Sequence, residues 1–152
     1  MPTVDPGPGL FPDDAAIRRI GEGLLACTLP KADWTHAAHI AATCWLLRDR
    51  PDVDVDAEIA TIIRRYNESV GGVNDDTSGF HATITRSFVV GIRSYLALSA
   101  ASGSLVATVN ALLRRPEGQR DWPLRFYTRE HLFSVAARRA FVEPDLAPLP
   151  DR

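Results

Sequence analysis

Three of the four histidines in this chain fall where helices are predicted to begin. His36 and His39 are three residues apart, and residues at positions i and i+3 of a helix share a face. His81 opens a later predicted helix. The positive end of the helix dipole disfavours imidazolium, so these rings are expected to be neutral. Neutral imidazole is the form that ligates metals.

Three converging imidazoles and a water or substrate would form a site for a divalent transition metal, with zinc, nickel or iron as candidates. The corresponding chemistry is hydrolysis or group transfer by metal-activated water. No catalytic residue is assigned, because H-x-x-H lacks the glutamate that acts as general base in H-E-x-x-H. The carboxylates that could complete the site are Asp75, Asp76 and Glu130. Under the opposite interpretation, His36 and His39 only cap a helix end or hydrogen-bond polar groups there.

Two side chains of the predicted fourth helix are candidates for ligand binding. Thr85 lies four residues after His81 and therefore shares its face. Its hydroxyl would orient a ligand or bond back to the His81 carbonyl, the commoner role of a mid-helix threonine. Arg86 would clamp an anionic substrate or pair with Asp75 or Asp76, and pairing is the interpretation that we favour.

Two more candidates follow from the end of the predicted third helix. Tyr66 lies on the apolar stripe and needs a partner for its hydroxyl, so it could support a ligand or donate a proton. Asn74 is a further ligand-binding candidate, although stabilising the loop is its more common role. His131 is expected to be a partly exposed residue in the first turn of the last helix.

Helical periodicity, capping residues and prolines define the elements that would position these side chains. The fourth helix is expected to be capped by Thr77 or Ser78, and the last by Thr128. Short loops make sequential helices antiparallel neighbours, which would bring His36, His39 and His81 to one end of the molecule. The predicted helices cover about residues 14–27, 33–48, 54–69, 80–100, 104–115 and 128–140, and one short turn is expected within 121–127.

The absence of β-alternation predicts an all-α fold. Its simplest form is an up-down bundle of four long helices with one to three short ones. A single domain is expected over residues 1–152. The termini are Pro-rich, so we predict an N-terminal arm over 1–12, whose Leu10 and Phe11 dock on the body, and an irregular tail over 141–152.

Composition excludes several classes of partner. The net charge of −2 gives no reason to expect a nucleic acid, and no apolar run approaches the ~20 residues of a membrane span. The N-terminus has no signal-peptide pattern, and Cys27 and Cys44 lie on apolar helical backgrounds as reduced thiols would. We therefore expect a cytoplasmic protein. Lys31 is the one lysine among 17 cationic residues, which suggests a GC-rich bacterial genome.

Five stretches of the chain form a recognisable pattern: Trp34-Thr35-His36-x-x-His39, Tyr66-Asn67, Asn74, Gly79-Phe80-His81-x-Thr83-Ile84-Thr85 and Val142-Glu143-Pro144-Asp145-Leu146. In this pattern the chain resembles a group of small, uncharacterised bacterial proteins over about residues 34–149. The resemblance implies a shared site without naming a reaction. Members of the group often carry glutamate where this chain has Ala82, so the resemblance does not extend to any role of that glutamate. DinB-like three-histidine helical bundles are a more distant analogy, of architecture only.

Three hypotheses for function follow, and they leave open whether the protein is an enzyme. The first is a metal site formed by His36, His39 and His81. The second is a metal-free pocket in which the histidines, Tyr66 and Arg86 bind a small polar or anionic molecule. The third is a non-catalytic interaction protein that forms a homodimer through its apolar helix faces.

Overall fold

The computed structural model describes residues 10–98 and 103–150, and all regular structure within them is helical. The predicted all-α class is therefore confirmed. Residues of the predicted arm before Leu10, and the predicted end of the fourth helix at Ala100, lie outside the described residues. Helices of the described chain are α1 (Asp14–Ala26), α2 (His36–Asp49), α3 (Val55–Ser69), α4 (Ala82–Leu98), α5 (Leu105–Leu113), α6 (Arg129–Leu132) and α7 (Val135–Arg139). Short 3₁₀ turns occupy Lys31–Asp33, Pro116–Gly118 and Trp122–Arg125.

Most helices begin directly after a short polar side chain that accepts a backbone N–H from the first turn. This interaction satisfies one of the donors that a helix start leaves unpaired, so it fixes the starting residue. Thr35 caps α2 and accepts from the Ala38 amide over 3.2 Å, which places His36 at the first position of that helix. The capping residues are Asp13, Thr35, Asp54, Ser104, Thr128 and Ser134.

The fourth helix departs from the sequence prediction at its start. Neither Thr77 nor Ser78 caps it: both lie in a preceding turn, where their backbone amides donate to the Asp75 carboxylate over 3.0 and 2.9 Å. The cap is His81, whose Nδ1 accepts from the Ile84 amide over 3.1 Å. The predicted helix start at Phe80 therefore moves to Ala82.

The predicted last helix over 128–140 is two short helices. Thr128 caps α6 as expected, and its hydroxyl accepts from the His131 amide. The chain then leaves the helical conformation at Ser134, where ψ is 155°, and the Ser134 hydroxyl caps α7. A serine that can bond to the backbone three residues ahead competes with helix continuation, which accounts for the break.

Helix α2 is the central element of the fold. Its apolar residues point in several directions, as expected for a helix that is packed on most of its surface. It contacts α1, α4 and α5. The buried residues of α2 are Ala38, Ile40, Ala41, Ala42, Cys44, Trp45 and Leu46.

The ends of the described chain are held on this body. Phe11 packs against the core and exchanges two hydrogen bonds of 2.9 Å with the Asn110 side chain, so it docks as predicted. Residues 141–150 contain no helix. Asp145 nevertheless anchors them by accepting from the Thr128 amide and hydroxyl. Among the described residues, no helix is both long enough and apolar enough to span a membrane.

Candidate ligand-binding site

Side chains of α2, α3 and α4, together with the segment that follows α5, line a half-open cavity of about 270 Å³. Two of the three predicted metal ligands, His36 and His39, are among its walls. The apolar part of the lining consists of Ile40, Ile63, Ile84 and Phe88, and the polar part of His36, His39, Thr43, Thr85 and Arg120.

His36 is held by a contact that is distant in sequence. Its Nε2 lies 2.8 Å from the carbonyl oxygen of Gly118. A carbonyl can only accept, so Nε2 carries the proton and donates. A Cβ at Gly118 would collide with the Leu112 carbonyl oxygen, and this position therefore requires glycine. The His36 ring also meets Phe88 edge to face, with centroids 5.6 Å apart.

His39 is oriented by two neighbours at the start of α2. Its Nδ1–H donates to the Thr35 carbonyl over 2.7 Å, and its ring stacks on Trp34 with centroids 3.7 Å apart. The proton on Nδ1 leaves Nε2 as a hydrogen-bond acceptor. Nε2 makes no hydrogen bond with the residues that the structure describes.

The surroundings of His39 keep its ring neutral. The pKa of His39 is lowered from 6.5 to about 4, chiefly by burial, and the electrostatic interactions with His36 and Arg120 act in the same direction. The Thr35 carbonyl opposes this effect, since it favours a protonated ring. At neutral pH the cavity therefore presents an uncharged acceptor beside a guanidinium.

Arg120 is the cationic residue of this cavity, and no carboxylate of the described chain forms an ion pair with it. It also borders an open basin of about 680 Å³, which includes Arg114 and shares His36 with the cavity. His36 and Arg120 thus lie at the boundary between the basin and the half-open cavity.

His81 does not line this cavity. Its Nδ1 caps α4, and its Nε2–H donates to the Leu132 carbonyl over 2.9 Å. Both ring nitrogens are therefore used inside the fold. Burial lowers the pKa of His81, and the positive charge of Arg138 acts in the same direction, against the Leu132 carbonyl.

This arrangement bears directly on the predicted three-histidine metal site. Residues 10–98 and 103–150 contain no group of three or more His, Cys, Asp or Glu side chains that could hold a metal ion. The lone pair that His81 would offer to a metal is already given to the Ile84 amide. The helix dipole affects the charge of these rings. It does not determine which way each nitrogen points.

The other predicted ligand-binding residues are divided between the cavity and the core. Thr85 lines the cavity. Tyr66 does not, because it is fully buried and its hydroxyl donates to the Leu29 carbonyl over 2.8 Å. Asn74 holds the loop before α4: it accepts from the Asn67 side chain and the Phe80 amide.

Arg86 is an ion-pair residue, as favoured from the sequence, but with a different partner. It donates to Asp56 over 3.0 Å instead of to Asp75 or Asp76. Asp76 pairs with Arg139 over 2.7 Å. The sequence could not distinguish these carboxylates, since Asp56 lies at the far end of α3 from the loop that contains the other two.

His131 and the cysteines play no part in this cavity. His131 is half-buried, as predicted, and its Nε2–H donates to the Glu143 carbonyl over 2.8 Å. Cys44 is buried, and burial raises the pKa of its thiol to about 12, so it stays protonated. Both Cys27 and Cys44 are free thiols.

Arg120 is the residue of the site that sequence reasoning missed. It lies in an irregular segment, and its position depends on the 3₁₀ turn of Pro116–Gly118 that also supplies the partner of His36. The only available signal was the Pro-Glu-Gly turn itself, which predicts a chain reversal but not the element against which the following residues pack.

Comparisons of the chain with protein-family models, with curated proteins and with solved structures find no match. The resemblance to the group of small bacterial proteins therefore stays a prediction. The cavity is the basis of the function proposed below.

Proposed function

We propose that this protein binds a small organic anion, without a metal, in the cavity bordered by His36, His39 and Arg120. The ligand class is a compact carboxylate that also carries a hydroxyl group on an apolar framework. The observation that carries the proposal is the pairing of a neutral acceptor, Nε2 of His39, with an exposed cation, Arg120, that no carboxylate of the described chain neutralises, in one half-open cavity.

Each part of that ligand corresponds to a part of the cavity. A carboxylate suits Arg120, because a guanidinium offers a planar fork of donors to two oxygens. A hydroxyl suits His39, because Nε2 can only accept and would repel a second anion. The apolar framework suits the walls that Ile63 and Phe88 provide, and small-molecule sites commonly combine such walls with a few polar groups.

The positive charge of Arg120 also weighs against a metal as occupant. A divalent cation between His36 and His39 would be repelled by a guanidinium that no carboxylate of the described chain neutralises. The same charge favours an anion. This is why we place the metal-free hypothesis ahead of the metal hypothesis, and why the cation in it is Arg120 and not Arg86.

The test is a calorimetric titration with 3-hydroxybenzoate in buffer containing EDTA. Binding is expected with a Kd of about 1 mM or tighter, which is reasonable for a ligand of this size. Benzoate lacks the hydroxyl and 3-hydroxybenzamide lacks the charge, so each should bind about tenfold more weakly.

Two variants separate the contributions. Arg120→Gln should reduce the affinity for 3-hydroxybenzoate to that for 3-hydroxybenzamide. His39→Phe keeps a ring on Trp34 but removes the acceptor, so it should abolish the preference for 3-hydroxybenzoate over benzoate. The Thr35 carbonyl keeps a partner in that variant, since it also accepts from the backbone amide at position 39. Arg114→Gln, in the adjacent basin, is the matched control and should bind as the wild type does.

Equal binding of all three compounds would contradict the proposal, and so would a loss of binding on addition of EDTA. A variant Arg120→Gln that binds 3-hydroxybenzoate as the wild type does would exclude Arg120 as the anion-binding group.

Two further expectations, on the cellular location and on the helix arrangement, accompany this function. A reducing, cytoplasmic location is supported by the free thiols of Cys27 and Cys44. The up-down arrangement of four long helices, predicted from loop lengths, also stays a prediction.

A further inference from the structure

A second cavity, of about 450 Å³, lies between α3, α4 and the segment that begins at α7. Three arginines from three different helices line it, namely Arg64, Arg86 and Arg139. It shares only Thr85 with the histidine cavity. None of the histidines lines it, so its chemistry is separate from that of the proposed carboxylate site.

The positive charges of this cavity are only partly neutralised. Asp56 is the one carboxylate among its lining residues, and it is shared between Arg86 at 3.0 Å and Arg93 at 3.2 Å. Arg139 pairs with Asp76. Arg64 pairs with no carboxylate of the described chain, and its Cζ lies over the Phe80 ring, 5.0 Å from the ring centroid.

The N–H edge of the Arg64 guanidinium is available for an anion. Its Cζ lies over the Phe80 ring, and its N–H donors make no hydrogen bond or ion pair with the residues that the structure describes. Arg139 shows how such an edge binds, since its Nε and one terminal nitrogen both donate to Asp76 over 2.7 Å.

The rest of the lining suits a compact apolar group. Ile59, Phe80, Val89 and Phe141 form apolar walls, and Ala82 contributes only a methyl group. An inorganic anion alone would leave these walls in contact with water.

We propose that this cavity binds a phosphate monoester of a compact, largely apolar small molecule. The phosphate would lie against Arg64 and Arg139, and the organic group against the apolar walls. A dianion is favoured over a monoanion because three guanidinium groups line the cavity, and Asp56 and Asp76 pair with only two of them, which leaves Arg64 without a carboxylate partner in the described chain.

The test is a calorimetric titration with phenyl phosphate at pH 8, where the monoester is a dianion. Inorganic phosphate lacks the ring and benzenesulfonate lacks the second charge. Each of them is expected to bind at least about tenfold more weakly than phenyl phosphate.

Two variants address the cavity in different ways. Arg64→Gln removes the unpaired guanidinium and should weaken phenyl phosphate binding about tenfold. Ala82→Glu introduces a carboxylate into the cavity at the first position of α4, where an acidic residue is favourable for the helix, and should weaken binding at least as much. Arg65→Gln removes the neighbouring arginine, which does not line the cavity, and should leave binding unchanged.

Arg120→Gln should also leave phenyl phosphate binding unchanged, which separates this site from the carboxylate site. The proposal is overturned if phenyl phosphate binds no more tightly than inorganic phosphate. It is equally overturned if Arg64→Gln and Arg65→Gln have the same effect while both variants keep the helical circular dichroism spectrum of the wild type.

Discussion

The imidazole of His81 donates its Nε2–H to the carbonyl of Leu132 over 2.9 Å, and this bond joins the start of α4 to α6. The other nitrogen of the ring accepts from the Ile84 amide. Because one nitrogen donates and the other accepts, the ring must be neutral and in a single tautomer. His81 therefore closes a helix end and a tertiary contact at the same time, which explains a buried histidine without a ligand.

Replacing His81 by alanine should lower the free energy of unfolding by about 2–4 kcal/mol, since it removes a helix cap and leaves a buried carbonyl without a donor. His81→Asn should recover about 1 kcal/mol, because asparagine caps helices well. Urea denaturation measures both variants. Equal stability of the wild type and His81→Ala would refute the structural role of this ring.

The stability of the protein should depend on pH through His39. Its pKa is about 4 in the folded chain and 6.5 as the ordinary value, so the unfolded chain takes up a proton over this interval that the folded chain does not. The free energy of unfolding is therefore not reduced by His39 above pH 6.5, and it decreases progressively as the pH falls toward 4.

Urea denaturation at pH 7.5 and pH 5.0 tests this expectation, with His39→Phe as the control. The wild type should lose more stability than the variant between the two values. A proton NMR titration that gives His39 a pKa near 6.5 would show that its ring is not desolvated as described.

Tyr66→Phe should destabilise the fold without affecting the ligand. The Tyr66 hydroxyl is buried and donates to the Leu29 carbonyl, so its loss should cost about 1–2 kcal/mol in urea denaturation. Binding of 3-hydroxybenzoate should be unchanged, because Tyr66 does not line the cavity. A loss of binding in a variant that remains folded would show that Tyr66 contributes to the ligand-binding site.

Much of the helical structure could be predicted from the sequence, because helix starts depend on local interactions. Asp13, Thr35 and Thr128 cap helices as their position before an apolar stripe indicates. The prediction failed at the start of α4. Thr77 and Ser78 lie in a turn closed by the Asp75 carboxylate, and the helix begins later, at Ala82, with His81 as its cap.

Only the part of the site that is formed by residues close in sequence could be predicted. The spacing of His36 and His39 correctly placed both rings on one cavity. Their companion could not be found in this way, since Arg120 reaches the cavity through a contact between residues 82 positions apart, from His36 to Gly118. The donating nitrogens of His36 and His81 are likewise decided by distant carbonyls, whereas that of His39 is decided by the nearby Thr35 carbonyl. The choice between metal ligand and hydrogen-bond donor depends on these contacts.

The most direct test of the proposed site is a long-range proton–nitrogen NMR correlation of the histidine rings, recorded in EDTA with and without 3-hydroxybenzoate. Nε2 of His39 should appear unprotonated at pH 7 and should shift as it accepts the hydroxyl of the added compound, while both nitrogens of His81 stay unchanged. The account is contradicted if the compound leaves His39 unaffected while Zn²⁺, added to a sample without EDTA, shifts the nitrogens of His36, His39 and His81 together.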